Sequence, residues 1–336
     1  MDREEAPVEP DGDAGARPDS GPGEMPPGPA APVGGASPDE CPPGYRSGFV
    51  GIVGRPNVGK STMLNHFLGD KIAITSFHPQ TTRRRILGVL TRPDAQVLFL
   101  DTPGMHEPKH ALGRAMVEAT KAVLDDADVL VQVIDARAGL READEWVAEH
   151  VGRAKKPALA AINKVDLVAK PTILPLIDAC RRLGVFEAYI PVSAKTGVQM
   201  GSLLGEIVGR LPEGPRWYEP AQRTDVPLRE LIAELVREQA LAVTREEVPH
   251  AVAVLIEQME EGPNVLEIRA AILVERQGQK AIMIGREGAK LKAIGEAARR
   301  EIERLLGRHI YLGLWVKVEE GWRSDARLLR ELGYLS

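Results

Sequence analysis

The sequence predicts an α/β chain in two parts: a P-loop domain built on a mostly parallel six-stranded sheet, then a smaller α+β domain. Three observations carry this prediction. From Gly48 to Leu211, short apolar runs alternate with helical patterns, as repeated βα units do. The string Gly54-Arg55-Pro56-Asn57-Val58-Gly59-Lys60-Ser61 matches G-x-x-x-x-G-K-[ST] and lies between an apolar run and a helix-forming stretch, the context that motif requires. Past Pro215 the pattern changes to an amphipathic helix, two alternating strands and a Gly-x-x-Gly turn that opens a basic helix.

At 336 residues the chain exceeds the ~250 at which single cores stop growing, in keeping with two domains. The net charge of −5 is uneven: residues 1–46 hold ten acids against three arginines, or −7, which leaves +2 for residues 47–336. That stretch is rich in Pro and Gly and poor in apolar side chains, so it reads as a disordered acidic tail. Two distant cysteines, Cys41 and Cys180, fit neither disulfide nor zinc spacing and point to a reducing cytosol. No apolar run approaches the ~18 residues of a membrane span, and no secretory signal is expected. The expected domain limits are a tail at 1–46, a nucleotide-binding domain at 47–214, a linker at 215–225 and a second domain at 226–336 with a C-terminal helix.

Expected strands are Phe49–Val53, Ile86–Leu90, Val97–Leu100, Val129–Ile134, Ala158–Ile162 and Ala188–Val192. Expected helices lie near Gly59–Leu68, Arg114–Leu124, Glu142–Arg153, Ile173–Leu183 and Gly201–Leu211. Ligands of such sheets sit beyond the carboxyl ends of the strands, so the loops there should carry the chemistry. In the first loop, backbone N–H groups of Gly54–Ser61 would cradle a phosphate chain, Lys60 would reach the β and γ oxygens, and Ser61, followed by Thr62, would ligate Mg²⁺.

The third strand runs into Asp101-Thr102-Pro103-Gly104. Asp101 is placed to hold Mg²⁺ through water, and the Gly104 N–H to meet a γ-phosphate. Met105 follows where Ras-like proteins carry the Gln that orients attacking water, so intrinsic hydrolysis should be slow or otherwise assisted. After the fifth strand comes Asn163-Lys164-Val165-Asp166. A carboxylate there accepts from guanine N1–H and the 2-amino group, the Asn amide is expected to read O6 and N7, and the Lys stem to cover the base. Ser193-Ala194-Lys195 after the sixth strand would offer an N–H to O6. Each string alone is an ordinary turn, but their order behind successive strands predicts a guanine-nucleotide site taking GTP or GDP with Mg²⁺. Between the first helix and Asp101, Thr82, with Thr81 as second choice, is the expected switch threonine for Mg²⁺ and γ-phosphate; Lys60, Thr82 and Gly104 form the expected catalytic group. Asn57 resembles the asparagine that ligates K⁺ in cation-activated GTPases, which makes K⁺ a further expected ion.

In the second domain, Leu228, Leu231, Ile232, Leu235 and Val236 mark a helix face, and Ala251–Ile256 and Val265–Val274 read as strands. The turn Gly285-Arg286-Glu287-Gly288, followed by Lys290 and Lys292, matches the KH layout that clamps single-stranded nucleic acid. Residues 265–318 carry eleven basic and six acidic side chains, an excess of +5 in an acidic protein, which favours a phosphate-bearing partner.

Taken together, residues 48–336 resemble the Era family of bacterial ribosome-assembly GTPases. The resemblance rests on Gly54–Thr62, Gln80-Thr81-Thr82-Arg83, Asp101–Gly104, Asn163–Asp166, Ser193–Lys195, the Gly285–Gly288 turn and Trp322-Arg323-Ser324-Asp325. It implies a P-loop GTPase domain followed by a type II KH domain of order αββααβ. It also implies GTP hydrolysis coupled to binding the 3′ end of 16S ribosomal RNA during 30S subunit maturation, by a cytoplasmic monomer partly attached to the inner membrane surface. The acidic tail departs from the short N-terminus usual in that family. A nucleotide-stabilised RNA binder without a switch is the alternative reading; a tandem GTPase would need a second P-loop string, and the sequence holds no second match besides Gly54–Ser61.

Overall fold

A computed structural model describes residues 41–73, 83, 85–104, 111–244, 251–263 and 265–334. The tail to residue 40, Thr81, Thr82 and Met105 lie outside the described residues.

The first sheet comprises β1 (Arg46–Val53), β2 (Ile86–Thr91), β3 (Ala95–Asp101), β4 (Val129–Asp135), β5 (Ala158–Asn163) and β6 (Ala188–Pro191), in the order β2-β3-β1-β4-β5-β6. Every neighbouring pair is parallel except β2 with β3, which form an antiparallel edge. Helices α1 (Lys60–Leu68), α2 (Ala111–Asp126), α3 (Glu142–Ala154), α4 (Ile173–Arg181) and α5 (Met200–Val208) connect and cover it. All six expected strands are present. β1 begins three residues before Phe49 because Arg46 to Gly48 continue the ladder against Ala95 to Val97.

Side-chain alternation builds two cores from one sheet. Along β4, Val129, Val131 and Val133 pack in the cluster that includes Met63, Phe67 and Leu203, whereas Leu130 and Ile134 pack in the cluster with Val147 and Leu176. β5 divides likewise, Leu159 and Ala161 to the first, Ala158, Ala160 and Ile162 to the second. With burial worth about 1.5–3 kcal/mol per large aliphatic side chain, this two-sided packing fixes the strand order and brings the P-loop, Asp101, Asn163 and Ser193 to one rim.

The segment read as a linker is laid against the β2–β3 edge. Gln96 accepts from the Trp217 and Tyr218 N–H groups at 2.7 and 2.9 Å, Val89 N donates to Arg223 O, and Thr224 Oγ1 donates to Leu87 O at 2.6 Å. Beyond it come α6 (Leu228–Ala242), β7 (Ala253–Glu261), β8 (Leu266–Val274), α7 (Gln277–Ile284), α8 (Ala289–Leu306) and β9 (Ile310–Val318), the order αββααβ. β7 and β8 are antiparallel, with a bulge between Ile256 and Gln258, while β8 and β9 are parallel. The apolar Ile282-Met283-Ile284 run ends α7, with Met283 buried.

One face of this three-stranded sheet packs on α6 and α8 through Ile232, Val236, Ile294, Ala298 and Ile302, whose spacing in α8 is i, i+4, i+8. On the other, Ala253, Ala271 and Leu273 meet Trp322, Leu329 of α9 (Ala326–Glu331), and Leu112 and Met116 of α2. Trp322 is wholly buried and donates Nε1–H to Ala251 O at 2.9 Å, so it belongs to the core and stacks on no base.

Candidate functional site

The loop from β1 to α1 turns through left-handed backbone at Asn57 (φ 63°) and Gly59 (φ 103°). At Gly59 a Cβ would lie 2.3 Å from Asn163 Nδ2, so both the dihedral and the space require glycine. Val58 is buried and anchors the loop, while the Asn57 side chain is exposed. Arg55 turns back to Asp144 on α3, its Nε 3.1 Å from Oδ2, and so ties the loop to the second core.

Lys60 is 6% exposed and donates Nζ–H to Gly54 O at 2.9 Å and Arg55 O at 3.1 Å. Burial pushes its ammonium down to about 8, with the Asp101 carboxylate opposing that shift and Arg55 adding to it. A buried cation folded against the carbonyls of its own loop suits a site shaped for phosphate. Beside it, Ser61 Oγ donates to Asp101 Oδ2 at 2.8 Å. A hydroxyl and a wholly buried carboxylate in contact are oxygen donors of the kind Mg²⁺ takes, so these residues fit that ion.

Thr102 Oγ1 donates to Ile52 O at 2.9 Å and fixes the start of the Asp101 loop against β1. Pro103 O accepts from Thr120 of α2 at 3.3 Å. Gly104 lies on Pro56, where a Cβ would come within 2.8 Å of the Pro56 backbone. The two loops therefore touch directly, and movement of one is felt by the other.

On the base side, Asn163 is 2% exposed; its Nδ2 donates to Val58 O at 2.8 Å and its Oδ1 accepts from Ala194 N at 2.9 Å. The amide expected to read guanine O6 and N7 also braces the P-loop to the Ser193–Lys195 loop, and the second N–H of its Nδ2 is not used by these two bonds. Lys164, left-handed at φ 67°, spans the site with its Nζ donating to Asn57 O at 2.6 Å and pairing with Asp135 at 2.7 Å. Val165 and Asp166 enter a 3-10 turn, in which Asp166 is exposed and accepts from Ser193 Oγ at 2.6 Å. Lys195 is exposed beside buried Ala194, and Thr62 is half-buried on the first turn of α1. The sequence alone does not single out Asp135 or Asp144; the signal for the first is an acid closing β4, the one parallel strand whose following loop carries no expected site residue.

At the other domain, the turn between α7 and α8 is left-handed at Gly285 (φ 71°), Glu287 (φ 51°) and Gly288 (φ 77°). Arg286, Glu287, Lys290 and Lys292 are exposed around it, and the space beyond Gly288 is open. Backbone thus freed of side chains, next to the N-terminal end of an 18-residue helix, can approach phosphates closely.

Residues 49–164 match the family described as 50S ribosome-binding GTPase, and residues 247–323 match the KH domain family. The chain is 45% identical over 290 residues to the GTPase Era of Heliobacterium modesticaldum, spanning 86% of this chain and 97% of that one. A crystal structure of Era in complex with MgGDPNP and nucleotides 1506–1542 of 16S ribosomal RNA superposes at TM-score 0.85 and 44% identity, covering 87% of this chain and all of that one. A variant of Aquifex aeolicus Era bound to GDP·AlF4− gives TM-score 0.84 at 44% identity, again over 87% of this chain and all of its own. With both domains matched in this order and likeness of this extent, the chain belongs to the Era family of GTPases.

Proposed function

We propose that this GTPase is a nucleotide-driven RNA-binding switch that engages the 3′ end of small-subunit ribosomal RNA and assists assembly of the 30S subunit. The observation that carries the reading is one chain holding a P-loop string, an exposed Asp166 carboxylate bonded by Ser193 at the same rim and an exposed basic Gly-x-x-Gly turn. The Era complex with MgGDPNP and 16S ribosomal RNA supports the same pairing of ligands.

In this reading the amides of Gly54 to Ser61 and Lys60 hold the phosphates, and Asp166 accepts from the guanine edge while Lys164 covers its face. Mg²⁺, held by Ser61, Thr82 and, through water, Asp101, supplies positive charge to the β and γ oxygens. The Gly104 N–H senses the γ-phosphate, and its contact with Pro56 links the Asp101 loop to the P-loop. Gly285 to Gly288, with Lys290 and Lys292, hold the RNA backbone.

The domain limits we propose are 47–214 for the GTPase domain, 215–225 for the connection and 226–336 for the KH domain. We further propose a monomer resident in the cytoplasm, with K⁺ at Asn57 and peripheral attachment to the inner membrane. Among the described residues no helix is long and apolar enough to cross a membrane.

The test is RNA affinity measured with a GTP analogue, with GDP and without nucleotide. The switch predicts unequal values; equal affinities would leave nucleotide a structural role only. Crosslinking in lysate should recover ribosomal 3′-end reads that vanish in Gly285→Asp, and their persistence would remove the assigned RNA site.

A further inference from the structure

Arg83 belongs by sequence to the GTPase domain, directly after Thr82, yet its side chain is buried in the KH domain at 2% exposure. Its guanidinium lies 5.4 Å from the ring centre of Trp322 and 5.8 Å from that of Tyr334, and Nη1 donates to Val252 O at 2.7 Å. Trp322 caps the adjacent carbonyl, Ala251 O, so Arg83 and Trp322 together fix the backbone that enters β7. The neighbourhood is charged: Arg237 and Glu234 form a buried pair on α6, and burial holds the Arg83 guanidinium below its ordinary range despite Tyr334 and Glu234.

A second route from the nucleotide site reaches the same place. Leu112 and Met116 of α2 pack in one cluster with Trp322, Leu329 and Tyr334, and α2 is joined to the Asp101–Gly104 loop through Thr120 and Pro103 O. A third tie stands apart, where Lys71 pairs with Glu238 on α6 at 2.5 Å and with Glu301 on α8, the helix behind the Gly-x-x-Gly turn, at 3.2 Å. Segments adjoining both phosphate-sensing loops therefore converge on Trp322 and Tyr334.

We propose that Arg83 is a positioning residue that couples nucleotide state to RNA binding, its guanidinium seated against Trp322 and Tyr334 tying the chain beside Thr82 to the KH sheet. A planar, charged fork bonded to a carbonyl and laid on two rings has few tolerable positions. A small shift of its backbone unseats it rather than stretching it. The inference rests on the nucleotide-switched RNA binding proposed above.

The experiment uses the full chain, as wild type, Arg83→Ala, Arg83→Lys and Tyr334→Ala. A synthetic RNA of the small-subunit 3′ end is titrated with a nonhydrolysable GTP analogue and with GDP, and thermal melting confirms the fold. The readout is the ratio of the two RNA affinities. A wild-type ratio of about tenfold should fall to within about threefold of unity in Arg83→Ala and Tyr334→Ala. Arg83→Lys, which keeps the charge but loses the stacking fork, should lie between. A merely structural staple would weaken both affinities alike and leave the ratio, and that result in folded Arg83→Ala overturns the proposal. If Arg83→Ala does not fold, an unchanged ratio in Tyr334→Ala does so. A wild-type ratio of one would instead refute the switch itself, and is read without any variant.

Discussion

Raising the pH over the nucleotide-free protein should weaken nucleotide binding through Lys60. The buried ammonium titrates at about 8 in this state against an ordinary 10.5. Phosphates beside it favour the charged form, so the bound state keeps its proton where the free state has lost it. Affinity must then fall as pH rises through 8. With the bound group restored to 10.5, Lys60 in the free protein is about three-quarters deprotonated at pH ~8.5, and GDP affinity drops about threefold, or ~0.7 kcal/mol, between pH ~7.5 and ~8.5. The window stays below the pH at which guanine loses its own N1 proton. Fold stability moves the other way: between 8 and 10.5 the unfolded chain holds more protons than the nucleotide-free fold, so that form gains stability as pH rises through the window. Calorimetry of GDP with Mg²⁺ in two buffers of different ionisation enthalpy reads the uptake directly, with about 0.75 proton expected at pH ~8.5. A flat affinity with no buffer-dependent heat would show that Lys60 meets no phosphate.

Gly59→Ala puts a Cβ 2.3 Å from Asn163 Nδ2 at φ 103°. Left-handed strain of ~1–2 kcal/mol and a lost brace of ~1 kcal/mol should lower GDP affinity about 30- to 150-fold; an unchanged titration would contradict the assigned loop. Asp166→Asn should lower GTP affinity by at least about a hundredfold and admit xanthosine triphosphate, whose extra carbonyl accepts from the new amide; retained GTP preference in a competition assay would exclude Asp166 as the base reader. Turnover of GTP should be faster in K⁺ than in Na⁺ at equal ionic strength, and equal rates would remove the ion from Asn57.

Local rules made the nucleotide domain readable. Strand periodicity and the P-loop glycines are properties of consecutive residues, and alternating βα units leave the Asp101, Asn163 and Ser193 loops at the strands' carboxyl ends. The same rules placed the Gly285–Gly288 turn before a basic helix. They could not tell what Asn163 touches. Its amide bonds to Val58, 105 positions away, and Ala194, 31 away, and no local pattern in the Asn-Lys-Val-Asp string announces that brace.

The composition of the chain and its order of motifs by themselves determined the two-domain plan, the guanine-nucleotide site and the basic turn, because each is written in short-range spacing. Only tertiary structure decided how the parts are joined. The connection at 215–225 lies on the β2–β3 edge because Gln96 and the strand backbone offer it hydrogen bonds. Arg83 enters the second domain because Trp322 and Tyr334 meet there across the face of a sheet that forms only when distant strands pair. Such contacts depend on strand order and helix packing, which are set by the sum of many weak burials rather than by any one segment.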